Sequence, residues 1–290
     1  MATLAIDFAS TDGVAPPDFS KAKAAGCRLV IPRAIYGRSV GGKDPCYTDP
    51  CWEINKDRIL QAGLKRGAYL FVCYPKAGVK TPSPEVQAQA FIDYVQLDKC
   101  SNNDFVPFFD VEEASTLEPD EMFNWTLRIA NRLRDHYGCW PSMYTSNRVW
   151  QENLKGHKSG LLQNCPLWLA KPWPWPTRTP IHLDGAAGYS PTTIPQFGDA
   201  TNWVLYQYQG DATKMPGFPG AVDASRPALV QKGMKGTIVK FVQKLVGVTV
   251  DGDFGPKTEF GVKNFQKSVN ITEDGIVGLD TWTPLLWRNI

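Results

Sequence analysis

Eight short apolar runs, separated in the first half of the chain by helix-like segments, limit this sequence more than any other feature. They are Leu4 to Asp7, Arg28 to Arg33, Gly67 to Val72, Phe105 to Glu112, Pro141 to Thr145, Pro166 to Ala170, Trp203 to Gln209 and Ala221 to Ser225. Short runs rich in β-branched and aromatic residues read as strands buried on both faces. Between the early ones lie Asp18 to Ala25, Trp52 to Ala62 with Gly63 as a stop, Pro84 to Leu97, and Pro119 to Tyr137 followed by Gly138. Alternating strand and helix builds parallel β/α units, and eight strands can close a barrel. The later half, Trp168 to Phe218, is rich in Pro and Gly with little helical period. The expected fold is an irregular α/β barrel that lacks helices between its last strands.

In such barrels the reactive groups sit where strands end. The predicted ends present Asp7, Arg33, Tyr69, Asp110 with Glu112, Tyr144, Trp168, Gln207 and Asp223. The run Phe105 to Glu113 is the most informative, because Asp110 and Glu112 close an otherwise apolar strand. Side chains alternate along a strand, so Asp110 and Glu112 share a face, with Cα atoms roughly 6.5 Å apart. Two carboxylates that close repel by roughly 2–3 kcal/mol at an effective dielectric near 20. One of the pair should therefore hold its proton near neutral pH, which gives an acid beside a carboxylate, as glycoside hydrolysis requires. The plainer reading is a solvated strand end opening an acidic loop, since Glu113, Glu118, Asp120 and Glu121 follow. For Asp7 and Asp223 it is a cap or turn acceptor; for Tyr69, Tyr144 and Gln207 it is interior packing with a hydrogen-bonded tip. Acidic ends gathered at one mouth would cost stability without a use.

Composition removes other classes. A formal charge of +2 with no long basic run argues against nucleic acid. No run approaches the ~18 apolar residues of a membrane span, and the N-terminus meets Asp7 before a signal-peptide core forms. The expectation is a soluble, cytoplasmically made monomer with no membrane partner. The 7 cysteines lack paired Cys-x-x-Cys spacing and read as buried thiols, although Cys46 and Cys51 are placed to pair within one loop. Of the 3 histidines, His136, His157 and His182, none forms a His-Glu-x-x-His pattern, which argues against a zinc amidase. No cysteine sits in a motif for nucleophilic chemistry. Aromatic residues make up 12% of the chain, with 10 Trp, enough to suggest sugar-stacking surfaces. The stretch Trp168 to Pro176 either covers the barrel rim with its Trp rings or stacks them on sugars.

After Ser225 the composition changes, and residues 226–234 read as a linker between a barrel of residues 1–225 and a tail of residues 235–290. The tail repeats itself: Asp251-Gly252-Asp253-Phe254-Gly255-Pro256-Lys257-Thr258 recurs as Asp274-Gly275-Ile276-Val277-Gly278-Leu279-Asp280-Thr281, offset by 23 positions. Each Asp-Gly makes a tight turn and each Thr lies near a helix start. Three apolar faces follow, carried by Val239, Phe241, Val242 and Leu245, by Thr258, Val262 and Phe265, and by Trp282, Leu285 and Leu286.

These residues resemble two families. The tail is similar to the peptidoglycan-binding domain of wall hydrolases, through the paired Asp-Gly units, Phe265-Gln266 and Thr281-Trp282. The first 225 residues resemble glycoside hydrolase family 25, the Chalaropsis-type lysozymes. The matching pieces include Ala5-Ile6-Asp7 with Ser10, Asp49-Pro50-x-Trp52, Gly67-x-Tyr69-x-Phe71, Phe109-Asp110-Val111-Glu112, Pro141-x-x-Tyr144-Thr145, Leu167-Trp168-x-Ala170, Leu205-Tyr206-Gln207-Tyr208 and Val222-Asp223. Leu70, where His is common, and Ala224-Ser225 depart from the pattern. The resemblance implies an irregular TIM-like β/α barrel followed by a small three-helix domain. It also implies retaining cleavage of the β-1,4 bond between N-acetylmuramic acid and N-acetylglucosamine in bacterial peptidoglycan, without metal or other cofactor. Glu112 would be the general acid, and Asp110 would orient the substrate's acetamido group or attack directly. Asp7 and Asp223 would shape the charge, while Tyr69, Tyr144, Trp168, Gln207, Asp49 and Arg33 would bind sugar. In the tail, Asp251, Gly252, Asp274, Gly275 and Trp282 would contact the wall. A wall-degrading chain without an export signal further suggests a phage endolysin, with a bacterial enzyme exported by another route as the second choice. The competing functions are a chitinase-like glycosidase and a non-catalytic wall-binding protein.

Overall fold

A computed structural model of the chain describes residues 3–10, 15–42, 44–99, 101–113, 115–154, 164–170, 179–183 and 202–289. Cys100, His157 and the Trp-Pro stretch after Ala170 lie outside the described residues. The first elements are β1 (Leu4–Phe8), α1 (Phe19–Ala24), β2 (Cys27–Tyr36), β3 (Tyr47–Thr48), α2 (Pro50–Gln61), β4 (Lys65–Arg66), β5 (Tyr69–Phe71) and α3 (Pro84–Tyr94). Next come β6 (Phe108–Val111), α4 (Pro119–Tyr137), β7 (Ser142–Ser146), a π-helical turn over Val149–Asn153, β8 (Leu167–Ala170), β9 (Trp203–Ala212) and β10 (Val222–Pro227). The tail adds α5 (Thr237–Val246), α6 (Pro256–Ser268) and α7 (Leu279–Leu286).

The barrel runs β1-β2-β5-β6-β7-β8-β9-β10 and closes through the pairing of β10 with β1. All residues of β1 and β6 are buried, the apolar ones in the core and Asp7 and Asp110 in the enclosed strand ends. The expected parallel pattern holds as far as β9 and reverses at β10, which is antiparallel to both of its neighbours. The reason lies in the connection: residues 213–221 are too few for the dozen or more residues that a parallel crossover needs.

Local sequence sets the helix ends on the barrel's outside. Asp49 caps α2 by accepting the Cys51 backbone N–H, and Pro50 opens the helix. Ser83 with Pro84 does the same for α3, and α4 starts on a capping box between Glu118 and Glu121. Gly138, at φ 76°, ends α4 in the left-handed conformation that favours glycine. Cys46 and Cys51 are both buried and are not joined to each other, and Cys27, Cys73, Cys139 and Cys165 are likewise buried thiols outside any disulfide. Among the described residues no helix is long and apolar enough to cross a membrane.

The tail repeat is a structural device centred on two glutamines, Gln243 and Gln266. The Gln243 side chain donates to Asp251 Oδ1 (2.7 Å), to the Asp253 carbonyl (3.0 Å) and to Thr258 Oγ1 (2.9 Å), while its Oε1 accepts the Gly252 N–H (2.8 Å). Gln266 repeats the set on Asp274, Ile276, Thr281 and Gly275, at 2.7, 3.0, 3.0 and 2.9 Å. Each Asp-Gly turn is thus tied to the interior of its own repeat unit.

The expected linker is not a free tether. Arg226 and Pro227 belong to β10, the Ala228 N–H donates to the Val204 carbonyl, and Val230 pairs with Val277. The tail is docked beneath the barrel. The Trp287 indole N–H donates to the Asp104 carbonyl (2.9 Å), the Trp140 N–H to the Asn289 carbonyl (2.8 Å), and the Asn102 amide to the Val269 carbonyl (2.9 Å). Asp104 and Trp140 precede β6 and β7, so these contacts lie at the N-terminal ends of the strands, at the opposite pole from the acidic strand ends.

Candidate active site

Asp110 is in the last turn of pleat of β6 and Glu112 stands just beyond it, so the alternation of the strand aims both into the same bowl. β1 contributes Asp7, β2 Arg33, β5 Tyr69, β7 Tyr144, β8 Trp168, β9 Gln207 and β10 Asp223. All of these line one cavity of about 180 Å³, together with Ala9 and Phe71, which sequence reading did not single out. Asp223 reaches this mouth from the start of β10, because that strand runs backwards, and it is the register partner of Asp7.

Hydrogen bonds fix the polar walls. The Tyr144 hydroxyl donates to Gln207 Oε1 (2.8 Å), and Gln207 Nε2 donates to Asp223 Oδ2 (2.9 Å). Asp223 Oδ1 accepts the Asp211 N–H (2.7 Å), so both of its oxygens carry hydrogen bonds. Burial, followed by the charges of Glu112, Asp110, Asp223 and Asp7, holds the Tyr144 phenol well above its ordinary range and keeps it a neutral donor. Trp168 is buried; its indole N–H donates to Ser225 Oγ (2.8 Å) and its ring meets Tyr144 edge to face at 4.9 Å.

The two central carboxyls differ. Asp110 is 7% exposed, and its Oδ1 has no hydrogen-bond partner. Burial raises its pKa well above the carboxylate range, Glu112, Asp7 and Asp223 raise it further, and Arg33 opposes them. Glu112 is exposed at the mouth yet has enough protein around it for desolvation to raise its pKa, against the lowering effect of Arg148. Solvent in the bowl limits the size of that effect. The charge of Glu112 raises Asp110, second to burial, whereas Glu112 itself is raised by burial alone.

Two residues expected to touch ligand are enclosed instead. Asp49 is fully buried behind it, where Oδ2 accepts from Arg33 Nε (2.8 Å) and Ser10 Oγ (3.2 Å). It positions Arg33 and presents no surface to a sugar. Trp282 is likewise fully buried, its indole N–H bonded to the Ala228 carbonyl (2.8 Å), and it belongs to the core of the tail. A further set near the mouth was missed: Glu113 accepts from Arg38 (2.7 Å), Lys76 (2.8 Å) and the Tyr74 N–H (3.0 Å). Its only sequence signal was an acid next to Glu112.

Comparison with known proteins agrees with this architecture. Residues 6–218 match the model of glycosyl hydrolases family 25, and residues 240–285 match that of a peptidoglycan binding domain. The autolytic lysozyme of Clostridium acetobutylicum is 26% identical over 284 residues, covering 91% of this chain and 73% of that protein. A bacterial lysozyme from Streptomyces coelicolor superposes with a TM-score of 0.59 at 20% identity, over 78% of this chain and 92% of its own. The catalytic domain of endolysin ply40, from bacteriophage P40 of Listeria monocytogenes, gives 0.53 at 14% identity, over 78% and 92%. The chain therefore belongs to glycosyl hydrolases family 25, a lysozyme-type glycoside hydrolase barrel that carries a C-terminal peptidoglycan binding domain.

Proposed function

We propose that the protein is an N-acetylmuramidase that cleaves the β-1,4 bond between N-acetylmuramic acid and N-acetylglucosamine with net retention. The observation that carries this reading is the gathering of Asp7, Asp110, Glu112 and Asp223 with Tyr144 and Gln207 in one bowl, in a chain whose tail matches a wall-binding family.

Glu112 is assigned as general acid because it stands beyond the strand at the open mouth, where it can reach a leaving oxygen and exchange its proton afterwards. It gives its proton to the glycosidic oxygen as the C1–O bond breaks. Asp110 is enclosed, raised in pKa and short of a partner at Oδ1, all of which make it a poor direct nucleophile. Those properties suit it to accept the N–H of the substrate's acetamido group, whose carbonyl oxygen then bonds to C1. The Glu112 carboxylate next takes a proton from water as that water replaces the acetamido oxygen at C1, restoring the original configuration. Asp7 and Asp223 favour the positive charge that develops on the ring.

The bowl and the tail also support use in bacterial lysis by a chain that works as a monomer at the cell wall, as in a phage endolysin. The direct test is mass spectrometry of digested peptidoglycan after borohydride reduction. Fragments ending in reduced muramic acid are expected; fragments ending in reduced glucosamine would overturn the assignment.

A further inference from the structure

A second cavity, of about 240 Å³, opens on the same face of the barrel, on the side of Asp7 and Asp223, and Ala9 lines both cavities. Its walls are element ends that meet at the mouth: Phe8 at the end of β1, Cys51 and Ile54 at the start of α2, Pro17 before α1, and Phe218 and Val222 at the entry to β10. Phe8 and Phe218 pack edge to face at 5.3 Å, and Phe218 meets Phe19 in the same way at 6.0 Å, so that wall is fixed. None of the described lining residues is Asp, Glu, Lys, Arg or His. Asn55 lines the cavity, but its amide is already used, donating to the Cys51 carbonyl (2.9 Å) and accepting from Arg58 (2.7 Å). Ile54 stands at the lip, 52% exposed. The described lining therefore offers apolar surface, and a neutral, methyl-bearing group fits it.

We infer that this cavity binds the lactyl ether and first alanine of the peptide branch carried by the muramic acid residue next to the scissile bond. The inference rests on the muramidase reading, which places a muramic acid in the adjoining bowl. That sugar differs from N-acetylglucosamine by an ether-linked lactyl group joined through a neutral amide to a peptide that begins with alanine. The branch brings two methyl groups past Ala9 into a site whose described lining carries no charged side chain. Chitin has no such branch, so the cavity selects peptidoglycan over an otherwise similar β-1,4 polymer. Each buried methyl is worth roughly 0.8 kcal/mol, about fourfold in rate, and two together give about fifteenfold.

The test compares kcat/KM on a glycan oligomer that keeps its peptides with that on the same oligomer stripped of them by an amidase. The amidase removes the alanine and leaves the lactyl ether with a free carboxylate, so the wild-type protein is expected to prefer the peptide-bearing oligomer by at least the roughly fourfold that one methyl supplies. Ile54→Asn places a neutral polar group at the lip on an exposed helical position, and should abolish the preference while leaving the rate on stripped glycan unchanged. Ile54→Ala should give an intermediate preference. Equal wild-type rates on the two oligomers, or an Ile54→Asn variant that slows on both alike, would overturn the inference and leave the muramidase reading standing. Cleavage of neither would overturn that reading and this inference with it.

Discussion

Asp7 and Asp223 are direct register partners across the antiparallel pair β1–β10, so two acidic side chains are placed side by side at the mouth of the barrel. Asp223 is held by Gln207 and the Asp211 N–H, and Asp110 receives the charge of both partners. Gathering these carboxylates in one bowl carries an electrostatic cost.

Asp110→Asn should release that cost. A carboxyl with a raised folded pKa is harmless while protonated and destabilises as pH rises through that pKa. The variant should therefore unfold at a higher temperature than wild type near pH 7, the gain should shrink towards acid pH, and lysis should fall by at least a hundredfold. Thermal melts from pH 4 to pH 8 provide the measurement. A variant less stable than wild type across that range would refute the charge argument.

Glu112→Gln should leave the melting temperature nearly unchanged and reduce kcat on wall fragments by about 10²–10⁴-fold, since an amide cannot donate the required proton. Arg148 lowers the Glu112 pKa, so Arg148→Ala should move the alkaline limb of the kcat profile to higher pH while keeping the fold. An unmoved limb would show that another group supplies the proton.

The bowl was legible in the sequence because strand ends and strand alternation depend on local order alone. Asp7, Arg33, Tyr69, Asp110, Glu112, Tyr144, Trp168, Gln207 and Asp223 all line it. Asp49 and Trp282 were misplaced for a shared reason: a family motif marks a residue as needed without telling whether it touches ligand or holds a neighbour. Asp49 holds Arg33, and Trp282 fills a core. The reversal of β10 was hidden because an apolar run carries no direction. The docking of Trp287 under Asp104 joins residues 183 positions apart, which no local pattern reports.

That docking bears on how separable the two modules are. Trp287 and Asn289 are buried against residues that precede β6, β7 and β8. Trp287→Ala should cost about 3–5 kcal/mol, as for large core truncations, and lower the melting temperature of barrel and tail together. Calorimetry is expected to show one transition in wild type and two in the variant. Two transitions in wild type would mean that the interface does not couple the modules.

The last prediction concerns which surface of the tail meets the wall. The Asp-Gly turns are bound internally by Gln243 and Gln266, and Gly252, Gly275 and Trp282 are buried, so of the residues that first suggested wall contact only Asp251 and Asp274 are exposed. Gln243→Ala and Gln266→Ala should each destabilise the tail by about 1–3 kcal/mol by leaving buried partners unsatisfied. Phe260 on α6 is different: it is 67% exposed, the highest value among the large apolar side chains described. Truncating an exposed side chain normally changes stability by within ~0.5 kcal/mol. An aromatic face nevertheless offers apolar area that a sugar ring can cover, at roughly 25 cal/mol per Å². In the inactive Glu112→Gln background, Phe260→Ala should thus weaken binding to purified sacculi by about two- to tenfold at unchanged melting temperature. Binding isotherms of the two full-length variants on the same sacculi decide the point, and equal affinities would place the wall contact on another face of the tail.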